Sequence, residues 1–172
     1  MDVISLHQYG LPIGIATCGT ALTTQHSKMI KRHTENCIFA FDNDEAGFQA
    51  TMRGLKVAYA QDLFPKVLQF PTEYKDVDER LTKNPELRTK YLANKEDATK
   101  YLQENSLDGF TFVLRRLQVQ YDVLNPVERK KILNSCFELI SKVEDYSVLS
   151  LYMDQLATLM NSDRRLLMHQ FK

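Results

Sequence analysis

Tryptophan is absent from this 172-residue chain, and cysteine occurs only three times. Cys18, Cys37 and Cys136 lie far apart and are odd in number. That excludes a disulfide framework or a paired-thiolate metal site and points to a reducing cytosol. Net charge is missing too, since 22 basic side chains balance 22 acidic ones. Bulk attraction for polyanions is therefore excluded, and any nucleic-acid contact must be local, through a patch or a metal. No apolar run reaches membrane-spanning length, and the first residues lack a basic stretch leading into a hydrophobic one. A cytoplasmic protein with no membrane partner is expected. There is no repeat and no low-complexity tract. What remains, 44% hydrophobic and 26% charged residues, describes one globular domain or a small one with an appendage.

The N-terminal half alternates strand and helix signals. Asp2 to Tyr9 reads as a short helix stopped by Gly10 and Pro12. Ile13 to Thr17 is a candidate buried strand, and Thr24 to His33 a helix. Cys37 to Phe41 is the next strand, followed by a helix over roughly 44–60 that buries Met52, Leu55 and Tyr59. Val67 to Phe70 supplies a further short strand before Pro71. Such alternation predicts parallel crossover units. After about Thr82 strand signals vanish and apolar runs take helical spacing. Phe110 to Leu117 belongs to one helix, and Asn125-Pro126-Val127-Glu128 marks the start of another, with Glu128 placed to bond back to the cap. Helices over 146–160 and from Ser162 or Asp163 follow, and the charged segment 84–100 holds one or two short ones. The expected division is an α/β subdomain over 1–82 and an all-α subdomain over 83–172.

Acidic residues cluster where such a sheet would deliver its strand ends. Phe41-Asp42-Asn43-Asp44-Glu45-Ala46-Gly47 follows a strand and opens a helix. Lys75-Asp76-Val77-Asp78-Glu79 follows the last strand, and Asp2 opens the first helix. Parallel strands bring their C-terminal ends to one edge, where open α/β folds bind ligands. Carboxylates converging there repel one another unless a cation is present, and Mg²⁺ favours such oxygens together with substrate phosphates. The competing reading makes Asp42 or Asp44 a helix cap and Asp76 and Glu79 first-turn acids. Gly47 stands in a helical first turn, where it reads either as the close approach of another backbone or a phosphate, or as a glycine merely tolerated near a helix end. Gly19 and Thr20 can turn backbone donors toward a nucleotide. Lys28, Lys31 and Arg32, with Arg53 on the next helix, can form a small basic face for nucleic acid, though such residues are ordinarily solvated surface.

These segments, with Met1-Asp2-Val3-Ile4 and Ala16-Thr17-Cys18-Gly19-Thr20-Ala21-Leu22-Thr23, resemble in order and separation the landmarks of bacterial primases of the DnaG type. The resemblance implies a toprim-like parallel sheet with flanking helices, its first strand missing, followed by a helical bundle. It implies Mg²⁺ or Mn²⁺ held by Asp42, Asp44, Asp76 and Asp78, with Asp42, Asp44 and Asp2 in catalytic positions. Asp2 then binds through water or orients a neighbouring ligand. The glutamate that ends the family's first strand belongs four residues before Asp2, so a fragment is implied, truncated at its N-terminus. For the intact enzyme the expected activity is RNA primer synthesis from ribonucleoside triphosphates on a single-stranded DNA template. Its expected partner is a replicative helicase, bound through a domain largely absent here. The fragment itself is expected to be weakly active or inactive. Two alternatives stand beside this: another toprim enzyme, nuclease or topoisomerase, and a non-catalytic module whose helical half recruits a replication partner.

Overall fold

The structure, a computed structural model, describes residues 2–8, 12–19, 21–69, 71, 73–91 and 95–171. In chain order its elements are α1 (Asp2–Gln8), α2 (Thr24–His33), β1 (Ile38–Phe39), α3 (Glu45–Tyr59), β2 (Lys66–Leu68), α4 (Val77–Lys83) and α5 (Pro85–Tyr91). Then come α6 (Lys95–Glu104), β3 (Ser106–Asp108), α7 (Gly109–Gln120), α8 (Pro126–Ile140), α9 (Tyr146–Met160) and α10 (Arg164–Phe171). The predicted helices stand, and the charged segment holds two short ones, α5 and the start of α6.

The sheet departs from expectation in two places. β1 and β2 pair in parallel, Ile38 with Lys66 and Phe39 with Val67, as the crossover through α3 requires. β2 then pairs antiparallel with β3, Leu68 with Ser106 and Lys66 with Asp108, so the sheet is mixed. Ser106-Leu107-Asp108 carries no alternation or β-branched residue that would announce a strand. It becomes one because β2 offers it an open edge. Conversely, Ile13 to Thr17 forms no strand, and Ile15 is 81% exposed. A strand exists only by pairing, and this run is not part of the described sheet, whose order is β1-β2-β3.

Helix starts follow local chemistry. Asn125 accepts from the Val127 and Glu128 amides with Pro126 in the first turn. Glu128 reaches past the cap, accepting from the Asp122 N–H at 2.6 Å. Along α3, Phe48, Met52, Leu55 and Tyr59 fall on one stripe and are all buried. They meet Phe110, Val113 and Leu114 of α7 and Ile132, Cys136, Met153 and Leu156 of α8 and α9 in one continuous core. A smaller cluster of Leu68, Val77 and Leu81, with Leu6 and Leu102 against it, seats α1 and α4 on the sheet. Burial pushes the Cys136 thiol up to about 12, consistent with an inert core residue.

Asp108 ties the two halves together. Its Oδ2 accepts from the Thr111 N–H at 3.0 Å, capping α7, and its Oδ1 accepts from the Tyr152 hydroxyl at 2.9 Å. Tyr152 Oη lies 3.4 Å from Tyr59 Oη on α3. Burial, then the charge of Asp108, raises the Tyr152 phenol above its ordinary value, so it remains a donor. Gly109 has no room for a side chain: a Cβ there would fall 2.4 Å from Leu55 Cδ2 and 3.0 Å from the Pro65 carbonyl oxygen. No helix among the described residues is long and apolar enough to cross a membrane.

Tyr152→Phe removes the hydroxyl and leaves an Asp108 oxygen without its donor. Urea unfolding should show a loss of about 1–3 kcal/mol. Val119→Ser, at a position 85% exposed, should stay within about 0.5 kcal/mol of the parent.

Candidate metal and phosphate site

The first acidic loop leaves β1 and enters α3 through a tight backbone approach. Asp44, in extended conformation, caps α3 by accepting from the Gly47 N–H at 2.8 Å. A Cβ on Gly47 would lie 1.9 Å from the Asp42 carbonyl oxygen. Only glycine lets the loop fold back so closely over the helix start. Of the two explanations the sequence left open for Gly47, backbone approach is the one observed. The Asp42 carboxylate stays 46% exposed, its Oδ2 3.5 Å from Lys75 Nζ.

The second acidic loop is sewn to the first. The Asn43 N–H donates to the Lys75 carbonyl at 2.6 Å, and its side-chain amide donates to the Tyr74 and Pro71 carbonyls at 3.3 and 3.4 Å. Asp76 caps α4 by accepting from the Glu79 N–H at 2.7 Å. Glu79 in turn accepts from the Lys75 N–H at 2.7 Å and from Lys83. The Lys83 hydrogen bond and then the Lys75 amide hold the Glu79 carboxyl below its usual range. Asp2 Oδ1 accepts from the Asp78 N–H at 3.1 Å, and the Asp78 carboxylate accepts from the Ser5 hydroxyl. Beneath α4, Arg80 donates to the Gln69 carbonyl at 3.0 Å.

The loop that bears Asp42 and Asp44 therefore lies beside the loop that bears Asp76 and Asp78, joined to it by Asn43, and Asp2 bonds the Asp78 amide. The capping alternative holds for Asp44; Asp76, read beside it as a first-turn acid, instead caps α4, and Glu79 lies in that first turn. Each cap bond engages Oδ1, so capping and ligation are compatible. Among the described residues, no group of three or more His, Cys, Asp or Glu side chains forms a ready-made metal cluster. The donor set, all carboxylate oxygens and partly open to solvent, fits a hard divalent ion that completes its shell with water and phosphate.

The remaining candidates do not gather there by any bond observed. Lys31 is committed elsewhere, pairing with Asp62 at 2.7 Å and donating to the Gln61 carbonyl at 3.0 Å, which pins α2 to the end of α3. Lys28, Arg32 and Arg53 are solvent-exposed. Gly19 adopts a positive φ of 84°, and a Cβ placed on it would meet nothing within 4 Å. Thr20 lies outside the described residues. Sequence reasoning missed Asn43 and Ser5. Asn43 stood inside the acidic motif, while Ser5 carried no signal, since its partner lies 73 residues away.

Known proteins resemble this chain over both of its halves. Residues 1–81 match a family described as Toprim-like, and residues 110–165 match the DnaB-helicase binding domain of primase. The chain is 40% identical over 84 residues to a DNA primase of Clostridium acetobutylicum, covering 49% of this chain and 14% of that protein. It is 28% identical over 158 residues to a DNA primase of Listeria monocytogenes, covering 91% and 24%. A solved DnaG primase catalytic domain bound to single-stranded DNA superimposes with a TM-score of 0.74 at 25% identity, covering 96% of this chain and 50% of that one. The chain thus spans a quarter or less of these two relatives' length.

The depressed Glu79 carboxyl has a pH consequence. Its bond to the Lys75 amide contributes stability above the unfolded glutamate pKa and loses it as pH falls through the lower folded value. The Lys75 amide resonance should titrate with a midpoint below the ordinary glutamate range, and Glu79→Gln should abolish that transition.

Proposed function

We propose that this chain belongs to the bacterial DnaG-type primase family and carries the metal-binding half of a primer-synthesising core, with residues 1–82 as the metal-binding subdomain and 83–172, apart from β3 in the sheet, as the helical one. The observation that carries this reading is the Asn43–Lys75 backbone bond, which brings the acids after β1 beside the acids after β2. Its substrates are ribonucleoside triphosphates and a single-stranded DNA template, and its setting is the cytoplasm. The primer hydroxyl attacks the α-phosphate, the bond to the β-phosphate breaks, and pyrophosphate leaves.

Asp42 and Asp44, with Asp76 and Asp78, hold Mg²⁺ or Mn²⁺. A bound ion supplies Lewis-acid stabilisation of charge on the triphosphate oxygens. Gly47 keeps the Asp42 main chain folded over α3, and Asp44 keeps that helix start rigid. Asp2 acts through the Asp78 amide, as an orienting group. With zero net charge the chain has no bulk attraction for a polyanionic template, so primer synthesis by the chain alone should be weak or nil.

The helical half supports a partner role alongside this chemistry. Its 110–165 match to a helicase-binding family lies inside α7 to α10, so contact with a replicative helicase is assigned to these helices. The sequence alone had referred that contact to a domain largely absent from the chain.

Asp44→Asn and Asp44→Ala separate the two duties of one side chain. Asparagine caps as well as aspartate, so Asp44→Asn should keep the melting temperature while weakening Mn²⁺ binding about tenfold or more, as should Asp42→Ala. Asp44→Ala should lose affinity and also about 1 kcal/mol of stability. Unchanged Mn²⁺ affinity in Asp42→Ala and Asp44→Asn, measured by calorimetric titration, removes the assignment.

A further inference from the structure

Ser5 is 5% exposed, yet its hydroxyl leaves its own helix and donates to Oδ1 of Asp78 on α4. A helical serine ordinarily turns its hydroxyl back to the carbonyl one turn earlier. Here α1 holds the same residue twice. Asp2 takes the Asp78 main-chain N–H, and Ser5 takes the carboxylate. The hydroxyl is not needed to dock α1, because Leu6 already packs against the apolar cluster of Leu68, Val77 and Leu81. A buried polar group spent on one carboxylate oxygen therefore calls for a reason other than adhesion.

We propose that Ser5 is a positioning residue for divalent-metal binding, acting through Asp78. The donor fixes the rotamer of an otherwise freely turning aspartate and commits Oδ1. Oδ2 would then meet the ion with its rotational entropy already lost. This rests on the metal reading above. Hydrogen-bond partners behind a ligating group typically change metal affinity by about 10–100-fold when removed. A carboxylate with several fellow ligands belongs at the lower end of that range.

The test uses the full chain and Mn²⁺ alone as probe, followed by electron paramagnetic resonance and calorimetry, with thermal melts in parallel. Ser5→Ala should weaken Mn²⁺ about tenfold while α1 stays docked. Ser5→Thr, which keeps the hydroxyl, should recover affinity to within about threefold. In an Asp78→Asn background Ser5→Ala should cost nothing further, since the residue acts only through that carboxylate. Parent affinity in Ser5→Ala overturns the proposal, as does equal loss in the alanine and threonine variants, or an undiminished loss on the Asp78→Asn background. Asp42→Ala, run beside them, separates the two failures. If it too binds as the parent does, the metal site itself is wrong; if it alone weakens binding, only the role of Ser5 falls.

Discussion

A single backbone hydrogen bond, from the Asn43 N–H to the Lys75 carbonyl, governs the relation between the two acidic loops. Parallel pairing of β1 with β2 brings their C-terminal ends to one edge, but pairing spans only two register positions. So short a ladder leaves the loops beyond it free to splay. Asn43 prevents that with both its main chain and its side-chain amide, while the Gly47 contact keeps the first loop folded onto α3. Mutual repulsion of the acids is thereby contained by main-chain bonds and by caps rather than by side-chain ion pairing, of which Lys75 with Asp42 is a loose, exposed instance.

The second constraint is the sharing of one core by both halves. α3, which carries the first acidic loop on its N-terminus, is buried against α7 and α8, and Asp108 caps α7 while receiving Tyr152 from α9. The loop that bears Asp42 and Asp44 is consequently anchored on a helix whose far face belongs to the bundle. The Toprim-like match and the helicase-binding match thus fall on parts of one packed unit.

Much of the site was legible residue by residue. Caps act over three positions, so Asp44 and Asp76 could be read as helix starts from their neighbours alone. The sharp glycine after the first acidic pair signalled a close approach. Lys31 was read as part of a basic face, and its commitment to Asp62 was invisible because that aspartate sits at a positive φ of 53° in a turn whose placement depends on how α3 ends. β3 was equally invisible. A three-residue strand has too few side chains to show a period, and only the free edge of β2 makes it a strand. The apolar run 13–17 failed in the opposite sense, having the pattern but no place in the described sheet.

By itself the sequence determined the helices, their starts and the two acidic loops, because all of these are carried by contacts within a turn or two of the chain. Tertiary structure alone decided the mixed sheet, the continuous core, the Asn43 stitch between loops and the hold of α1 on Asp78. Each of those joins groups tens of residues apart. Local pattern can show that such groups are polar or apolar, but not which of them the folded chain brings within reach.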